Sequence, residues 1–184
     1  MNATGCSYML VNEREKTACR VDMNMTGLYN VQNSLCAIAM VTALGFDMTE
    51  CAKALSDLDG VDGRMNVVYR GDFTVITDYA HTDDALIKVL STLKPLTKGR
   101  LICVFGAAGD RDKEKRPMMA KAAEDNADIL VITSDNPAHE NPDEIIREVM
   151  TGISGKKPCR CITDRREAIA YSLDTARKDD VIIL

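Results

Sequence analysis

The chain has 184 residues, enough for one domain and part of another, and 46% of them are hydrophobic, which supports a packed core and argues against disorder. Its net charge of −5 provides no overall basic field to attract nucleic acid or anionic lipid. The sequence lacks both an apolar run of about 18 residues and a signal-peptide layout, so we expect a cytoplasmic protein that binds neither membrane nor nucleic acid.

The seven cysteines form an odd set without a Cys-x-x-Cys pair. Only two histidines are present to complete a metal site, so we predict no bound metal in this part of the protein. The cysteines are expected to be reduced and mostly buried, as is usual in the cytosol. They are Cys6, Cys19, Cys36, Cys51, Cys103, Cys159 and Cys161.

The first predicted element is a β-hairpin over residues 6–22. Its strands, 7–11 and 17–21, lie on either side of a charged segment that is typical of a turn. An isolated hairpin is at best marginally stable in water, so this one requires further chain to pack against.

Two helices follow the hairpin. The first is predicted over about 30–44, ending before a glycine. The second opens at the capping box Thr49-Glu50 and stops at Gly60. Two glycines in the stretch 60–64 then predict a hinge or a linker between domains.

Strands and helices alternate in the rest of the chain. This order predicts an α/β fold with a mostly parallel, doubly wound sheet and helices on both faces. The predicted strands are 66–69, 74–77, 101–105, 129–133, 159–162 and 181–184, and the predicted helices are 83–93, 117–126, 142–152 and 165–176.

The two ends of the sequence suggest a piece of a longer protein. The chain stops inside the apolar strand predicted at 181–184, and it begins just before the hairpin. In doubly wound sheets ligands bind beyond the carboxyl ends of the strands, so the loop after 184 is expected to matter.

Three polar side chains near the predicted linker are candidate ligand contacts. Asn30 and Asn33 are three residues apart, and therefore share one face at a helix start. Asn30 is also a good N-cap, so capping plus a surface amide remains the alternative. Arg64 provides a planar fork for phosphate or carboxylate, although a lone arginine is more often a surface residue.

A second group of polar residues directly follows the strand at 74–77. Asp78 and His81 stand at the strand's carboxyl end, the edge where doubly wound sheets usually bind ligands. Thr82 or Asp83 can cap the next helix, which is the structural alternative for those two residues.

The segment 106–117 is the richest in candidate chemistry. It turns at two glycines and opens a helix with Pro117 at the first position. Exposed amides there, with Arg111 and Arg116 nearby, would suit a carboxylate or phosphate. The alternative is a solvated charged loop. No Gly-x-x-x-x-Gly-Lys-Ser/Thr phosphate loop occurs in the chain.

The strand at 129–133 is also followed by polar residues. Asp135 and Asn136 could receive an ammonium group through charge and hydrogen bonds. Asp-Asn-Pro is equally ordinary turn chemistry. Three polar segments at one sheet edge predict a cleft for a small charged ligand.

Taken in order, these segments resemble the Mur ligase family, in particular its UDP-N-acetylmuramyl-tripeptide synthetases of the MurE type. The resemblance implies that residues 1–64 are the C-terminal part of a central ATP-binding domain. Residues 65–184 would then be a Rossmann-like C-terminal domain, truncated at its end. The motifs are Tyr29-Asn30-x-x-Asn33, Gly63-Arg64-Met65, Asp78-Tyr79-Ala80-His81, Gly109-Asp110-Arg111-Asp112-x-x-Lys115-Arg116-Pro117 and Asp135-Asn136-Pro137.

The resemblance also implies a reaction. Such an enzyme is a monomer that uses ATP and Mg²⁺ in peptidoglycan synthesis. ATP phosphorylates the terminal carboxylate of a UDP-N-acetylmuramoyl dipeptide, and the amino group of a diamino acid attacks the acyl phosphate. Phosphate is the leaving group that a bare carboxylate lacks, and positioned cations offset the developing charge.

Site roles follow residue by residue from the matching motifs. Asn30 and Asn33 would face the adenine of ATP, and Arg64 would lie at the phosphates as a catalytic and ATP-binding residue. Asp78 would contact the nucleotide, and His81 would shape the same cleft.

The incoming amino acid would be held by Arg111, Asp135 and Asn136. Family members that add meso-diaminopimelate carry Asp-Asn-Pro-Arg, whose arginine binds the distal carboxylate, whereas this chain has Ala138. Ala138 therefore favours L-lysine, which has no distal carboxylate, over meso-diaminopimelate. His139 could replace the missing arginine, which keeps meso-diaminopimelate open.

Other family parts are absent from the sequence: the phosphate loop, most Mg²⁺ ligands and a Gly-Lys-Gly-His-Glu segment. We therefore expect the chain by itself to be inactive. Two other interpretations remain, a related amide ligase such as folylpolyglutamate or cyanophycin synthetase, and a non-catalytic α/β binding module.

Overall fold

The computed structural model describes residues 5–184 and divides into two compact units. The division falls between Asn66 and Val67. Each unit has its own hydrophobic core. No helix within residues 5–184 is long and apolar enough to cross a membrane.

The first unit opens with the predicted hairpin, which is confirmed. Strand β1 (Cys6–Asn12) pairs antiparallel with strand β2 (Thr17–Met23), from Cys6 opposite Met23 to Asn12 opposite Thr17. The Asn12 side chain accepts hydrogen bonds from the backbone N–H groups of Arg14 and Glu15, at 3.1 and 3.2 Å. This local bonding of an asparagine to the following amides closes the turn.

The two predicted helices are present, and they pack on the hairpin. Helix α1 spans Leu28–Ala43 and helix α2 spans Met48–Ser56. Val21 of β2, Ile38 of α1 and Ala52 of α2 belong to one buried cluster. The core of this unit therefore lies between the hairpin and the two helices.

The start of each helix differs from its prediction. Helix α1 begins at Leu28 with Gly27 at the N-cap position, so Asn30 is inside the helix and the capping alternative for it is wrong. Helix α2 is capped by Asp47, whose carboxylate accepts the N–H groups of Thr49 and Glu50 at 2.8 and 3.1 Å. Because Asp47 precedes Thr49 in the chain and its carboxylate accepts both of these amides, the helix begins directly after Asp47.

The second unit contains a six-stranded sheet in the order β3-β4-β8-β5-β6-β7. The pairs β4–β8, β8–β5, β5–β6 and β6–β7 are all parallel, which confirms the predicted mostly parallel sheet. The strands are β3 (Asn66–Arg70), β4 (Thr74–Thr77), β5 (Leu101–Phe105), β6 (Ile129–Ile132), β7 (Cys159–Cys161) and β8 (Val181–Ile183).

The four predicted helices of this unit are present, with a short 3₁₀ turn at Lys94–Leu96 that was not predicted. Thr82 caps α3 by accepting the N–H of Ala85 at 3.2 Å. Helix α4 begins at Lys115, so the prediction that Pro117 is its first residue is wrong. The first amides of a helix have no partner within it, so a proline is tolerated throughout the first turn. The helices are α3 (Asp83–Leu93), α4 (Lys115–Asn126), α5 (Pro142–Met150) and α6 (Arg165–Thr175).

Helices cover both faces of the sheet. All five residues of β5 are buried. Ile102 and Val104 cluster with Ala168 of α6 on one face. Because successive side chains of a strand point to opposite faces, Leu101, Cys103 and Phe105 face the other side, on which α3 contacts β5. Apolar runs of this kind are typical of parallel strands buried on both sides.

A buried carboxylate fixes the start of the last strand. Asp180 is 2% exposed and accepts the backbone N–H groups of Arg100 and Arg177 at 2.6 and 2.8 Å. The Arg100 guanidinium also donates to it, at 2.5 Å from Nη2. Charge-assisted bonds to one carboxylate thus join the beginnings of β5 and β8.

Candidate functional site

A cleft of about 920 Å³ opens at the carboxyl edge of the second unit's sheet. Its floor is apolar and includes Phe105, Met119 and Ile183. Its walls are the loops that follow β4, β5 and β6, which are the segments whose polar residues the sequence singled out. This is the edge at which ligands bind in open parallel sheets.

Six of the predicted site residues line this cleft. The sequence assigned two of them to the nucleotide and four to the amino acid, and the fold brings all six to one cavity. They are Asp78, His81, Arg111, Asp135, Asn136 and Ala138.

The loops after β5 and β6 are in direct contact. The Gly109 N–H donates to the Asn136 carbonyl oxygen at 2.7 Å. A Cβ atom at Gly109 would overlap the Pro137 carbonyl, and one at Gly106 would overlap the Thr133 carbonyl. The two glycines of this segment therefore permit the backbones to meet.

Asn136 shapes its own loop. Its side-chain oxygen accepts the N–H of Ala138 at 3.2 Å, and Ala138 has a left-handed backbone with a φ of 48°. The turn chemistry that the sequence left as an alternative is thus present, and the side chain still lines the cleft.

Arg116 has a different position from the one predicted. Its side chain is 2% exposed and binds Glu140 at 2.8 Å and Glu148 at 2.5 Å. The hydrogen bond from the Arg116 guanidinium holds the pKa of Glu140 well below its usual range. Arg116 also lines the cleft, but its guanidinium is already paired with two carboxylates, so the structure favours a structural role for it over ligand binding.

A family model described as Mur ligase, glutamate ligase domain, matches residues 63–184. The chain belongs to the Mur ligase family. This confirms the resemblance stated from the motifs, and the sheet, cleft and loops above are those of a Mur ligase C-terminal domain.

Relatives with 40–47% identity are UDP-N-acetylmuramoyl-L-alanyl-D-glutamate--2,6-diaminopimelate ligases. The Mur ligase of Caldanaerobacter subterraneus subsp. tengcongensis is 47% identical over 166 residues, which cover 89% of this chain and 34% of that protein. The one of Geobacillus kaustophilus is 40% identical over 188 residues, covering 100% of this chain and 38% of the other. The chain therefore spans about a third of the length of these relatives.

Solved structures show the same fold. A diaminopimelate ligase with 37% identity superposes with a TM-score of 0.68, covering 99% of this chain and 37% of that one. The Thermotoga maritima folylpolyglutamate synthase has a TM-score of 0.67 at 17% identity, over 90% and 39% of the two chains. The second likeness concerns the fold alone.

Among the polar residues that line the cleft, Asp112 and Lys115 belong to a motif quoted from the sequence but were given no role, and Arg165 lies outside every quoted motif. Arg165 is the first residue of α6, and its guanidinium donates to the Ser134 carbonyl at 3.5 Å. It lies shortly after the carboxyl end of strand β7, which is at Cys161. The rule that finds ligands after the carboxyl ends of parallel strands could therefore have found it.

The two histidines differ in their position relative to the cleft. His81 is exposed in the cleft wall, with Nδ1 2.9 Å from the Tyr79 carbonyl oxygen and its ring against the Tyr79 ring. The His139 side chain is 92% exposed and pairs with Asp110 at 2.6 Å. The hydrogen bond to Asp110 raises the pKa of His139. His139 does not line the cleft, which weakens it as a replacement for an arginine there.

Three predicted site residues belong to the first unit. Asn30 is buried and its amide donates to the Thr26 carbonyl at 2.8 Å, while Asn33 and Arg64 are exposed. Their assignment to ATP remains a prediction. Within residues 5–184 no three His, Cys, Asp or Glu side chains are placed to hold a metal ion, so no Mg²⁺ site is assigned here.

Proposed function

We propose that this chain is part of an ATP-dependent ligase of peptidoglycan synthesis. The complete enzyme would join a diamino acid to UDP-N-acetylmuramoyl-L-alanyl-D-glutamate. The observation that carries the proposal is the cleft in which Arg111, Asp135 and Asn136 meet, in a chain whose relatives bear the name of this reaction.

The charges of the cleft suit an amino acid. Arg111 presents a planar fork for the α-carboxylate, and the carboxylate of Asp135 with the amide oxygen of Asn136 suits an ammonium group. In the proposed reaction the terminal phosphoryl group of ATP passes to a substrate carboxylate oxygen. The amine nitrogen then attacks the acyl carbon, phosphate leaves with that oxygen, and the amine loses its proton.

We infer that L-lysine is the amino acid added. Ala138 presents only a methyl group to the cleft, at the position where the family's diaminopimelate enzymes are expected to carry arginine. A distal carboxylate would find no guanidinium there. The second candidate, meso-diaminopimelate, is supported by the names of the relatives.

A ligation assay on the full-length protein decides between the two. The upstream and downstream reading frame is recovered, and phosphate release is measured with the UDP-dipeptide, ATP and either amino acid. We expect a higher kcat/KM with L-lysine, and higher turnover with meso-diaminopimelate would overturn this choice. Ala138→Arg should move the preference toward meso-diaminopimelate, whereas His139→Ala serves as the control and should leave it unchanged.

We further propose that the 184-residue chain alone is inactive, because its sequence contains no phosphate loop. The complete enzyme would be a cytoplasmic monomer that uses ATP with Mg²⁺, with Asn30, Asn33, Arg64, Asp78 and His81 on the nucleotide. Phosphate release by the isolated chain above that of a protein-free blank would contradict its proposed inactivity. Light scattering of the full-length enzyme tests whether it is a monomer.

A further inference from the structure

A cluster of four charged side chains lies beside the cleft loops, and one of them, Arg116, also lines the cleft. Arg116 of α4 is buried, with its Nη1 2.9 Å from Glu140 Oε2 and 2.5 Å from Glu148 Oε2, and its Nη2 2.8 Å from Glu140 Oε1. Lys113 approaches Glu140 at 3.2 Å and Glu148 at 3.4 Å. Glu140 precedes α5, and Glu148 belongs to it.

Glu140 and Glu148 differ in the groups that they bind besides Arg116. Glu140 Oε1 also accepts the backbone N–H of Asp110 at 2.7 Å. Arg116 Nη2 reaches the Ala108 carbonyl at 3.2 Å. The Arg116–Glu140 pair is therefore bonded to the backbone of the loop after β5, whereas Glu148 contacts that loop through the exposed Lys113 side chain, at 3.4 Å.

These bonds fix the backbone beside the candidate amino-acid contacts. Asp110 and Ala138 both have left-handed φ angles, 54° and 48°, a backbone conformation that is uncommon for non-glycine residues. Asp110 directly precedes Arg111, and Ala138 lies two residues before Glu140. The Arg116–Glu140 pair thus acts on the backbone of both loops that line the cleft.

We propose that Glu140, held by Arg116, is a positioning residue that sets the geometry of amino-acid selection at Arg111 and Ala138. The inference rests on the proposed function. Both oxygens of Glu140 are occupied by the guanidinium and the Asp110 amide, so this carboxylate orders the loops and leaves the substrate ammonium to Asp135. An arginine suits this role because its fork binds both oxygens at once.

The test compares Glu140→Gln with Glu148→Gln in the full-length enzyme. Both changes remove one negative charge facing Arg116, but only the first removes a carboxylate bonded to the Asp110 amide. We expect Glu140→Gln to raise the KM for the amino acid about tenfold, the effect of losing one charge-assisted hydrogen bond, with the KM for ATP nearly unchanged. Equal KM values for the amino acid in the two variants would overturn the proposal.

Arg116→Lys is the second variant, and it keeps the charge but loses the fork. It should raise the KM for the amino acid as Glu140→Gln does, and a wild-type KM would count against the proposal. Far-UV circular dichroism confirms that each variant is folded before its kinetics are read.

Amide hydrogen exchange in the 184-residue chain separates this proposal from the proposed function. If the full-length wild-type protein turns over no diamino acid, the proposed function fails. The effect of Glu140 on the loop after β5 is then tested by the amide exchange rates alone. Glu140→Gln should speed exchange at Asp110 relative to Glu148→Gln, and equal rates would show that Glu140 does not order this loop.

Discussion

The glycine at position 109 lies where two loops of the cleft come closest. Its N–H bonds the Asn136 carbonyl, and a Cβ atom there would overlap the backbone of Pro137. We expect Gly109→Ala to separate the loops and to raise the full-length enzyme's KM for the amino acid by about an order of magnitude, since small misplacements of binding groups are costly.

The matched control for this change is Gly71→Ala. A Cβ atom at Gly71 would meet the hydroxyl end of the Tyr69 side chain, which can rotate away, rather than backbone. The KM for the amino acid should then stay at the wild-type value. If Gly109→Ala leaves that KM unchanged as well, the close approach of the loops does not matter for binding.

The hydrogen bonds of the buried Glu124 carboxylate predict how the stability of the second unit depends on pH. Its carboxylate is 3% exposed and accepts hydrogen bonds from the Ser154 hydroxyl at 2.7 Å and from the N–H groups of Ser154 and Lys156 at 2.9 and 3.0 Å. These bonds, the Ser154 hydroxyl first, lower the pKa of Glu124 from 4.5 to about 2. The contribution of the Glu124 carboxylate to the free energy of unfolding is therefore complete above pH 4.5, and it is lost as the pH falls toward 2.

Urea unfolding of Glu124→Gln at several pH values measures this contribution. The variant should be less stable by about 1–3 kcal/mol at pH 7, the cost of weakening bonds to a buried charge, and should approach the wild type below pH 4. Asp125→Asn is the control, because Asp125 is exposed and pairs with the exposed Lys121 at 2.8 Å. A constant difference across the pH range would contradict the assignment.

Two arginines with different surroundings show what could not be predicted from the sequence. Arg111 and Arg116 both follow the glycine turn after β5, and both looked available for an anion. Both line the cleft, but Arg111 is exposed, whereas Arg116 is buried and paired with Glu140 and Glu148 from a later segment. Burial and distant partners decide the role of such a side chain, and neither is visible in a local motif.

Among the elements, β8 is an interior strand of the sheet, and it pairs with β4 on one side and with β5 on the other. Ile182 at its centre is fully buried in the cluster that includes Val104 and Ala168. Ile182→Ala should therefore lower the free energy of unfolding by about 2–5 kcal/mol, the usual cost of such a truncation in a core.

Urea denaturation of the 184-residue chain provides the measurement. Ile87→Ala is the matched control, since Ile87 is 42% exposed on α3 and its truncation should change stability by no more than about 0.5 kcal/mol. Similar losses at the two positions would show that β8 is not a central part of the core.

Most elements could be predicted because their signals are local. The apolar run at 101–105 and the turn at 12–16 each carry their own pattern, and both were found. Helix starts were less accurate, because the side chain that first reaches the free amides, Asp47 rather than Thr49, fixes the start. The sheet order was not predicted, since it depends on pairing between distant segments.

At the scale of the whole molecule, the two units each have a core of their own. The second contains the six-stranded sheet with helices on both faces. A polypeptide of residues 67–184 should therefore fold alone and unfold in one cooperative step, as followed by far-UV circular dichroism during heating.

Residues 1–66 provide the comparison for this experiment. Their described part has one hairpin and two helices around a small cluster, and domains of this size are marginally stable. We expect this piece to melt at a lower temperature than 67–184. A broad, non-cooperative transition for 67–184 would show that its core is incomplete without the rest of the protein.

The family could be recognised because its motifs are spread over both units and keep their order. The cleft could be anticipated because parallel strands end at one edge. Which ligand each of the six predicted residues in that cleft contacts could not be predicted from the sequence, because such contacts depend on the atoms of the bound substrates.

The position of β8 also has a consequence for protein synthesis. Thr74 pairs with Val181, so the strand that fills the middle of the sheet is made long after its neighbours. Until residue 183 has left the ribosome, the edges of β4 and β5 that β8 later covers are open to solvent. Unpaired strand edges invite pairing with other chains, so a ribosome that stalls before residue 181 would hold a nascent chain prone to aggregation.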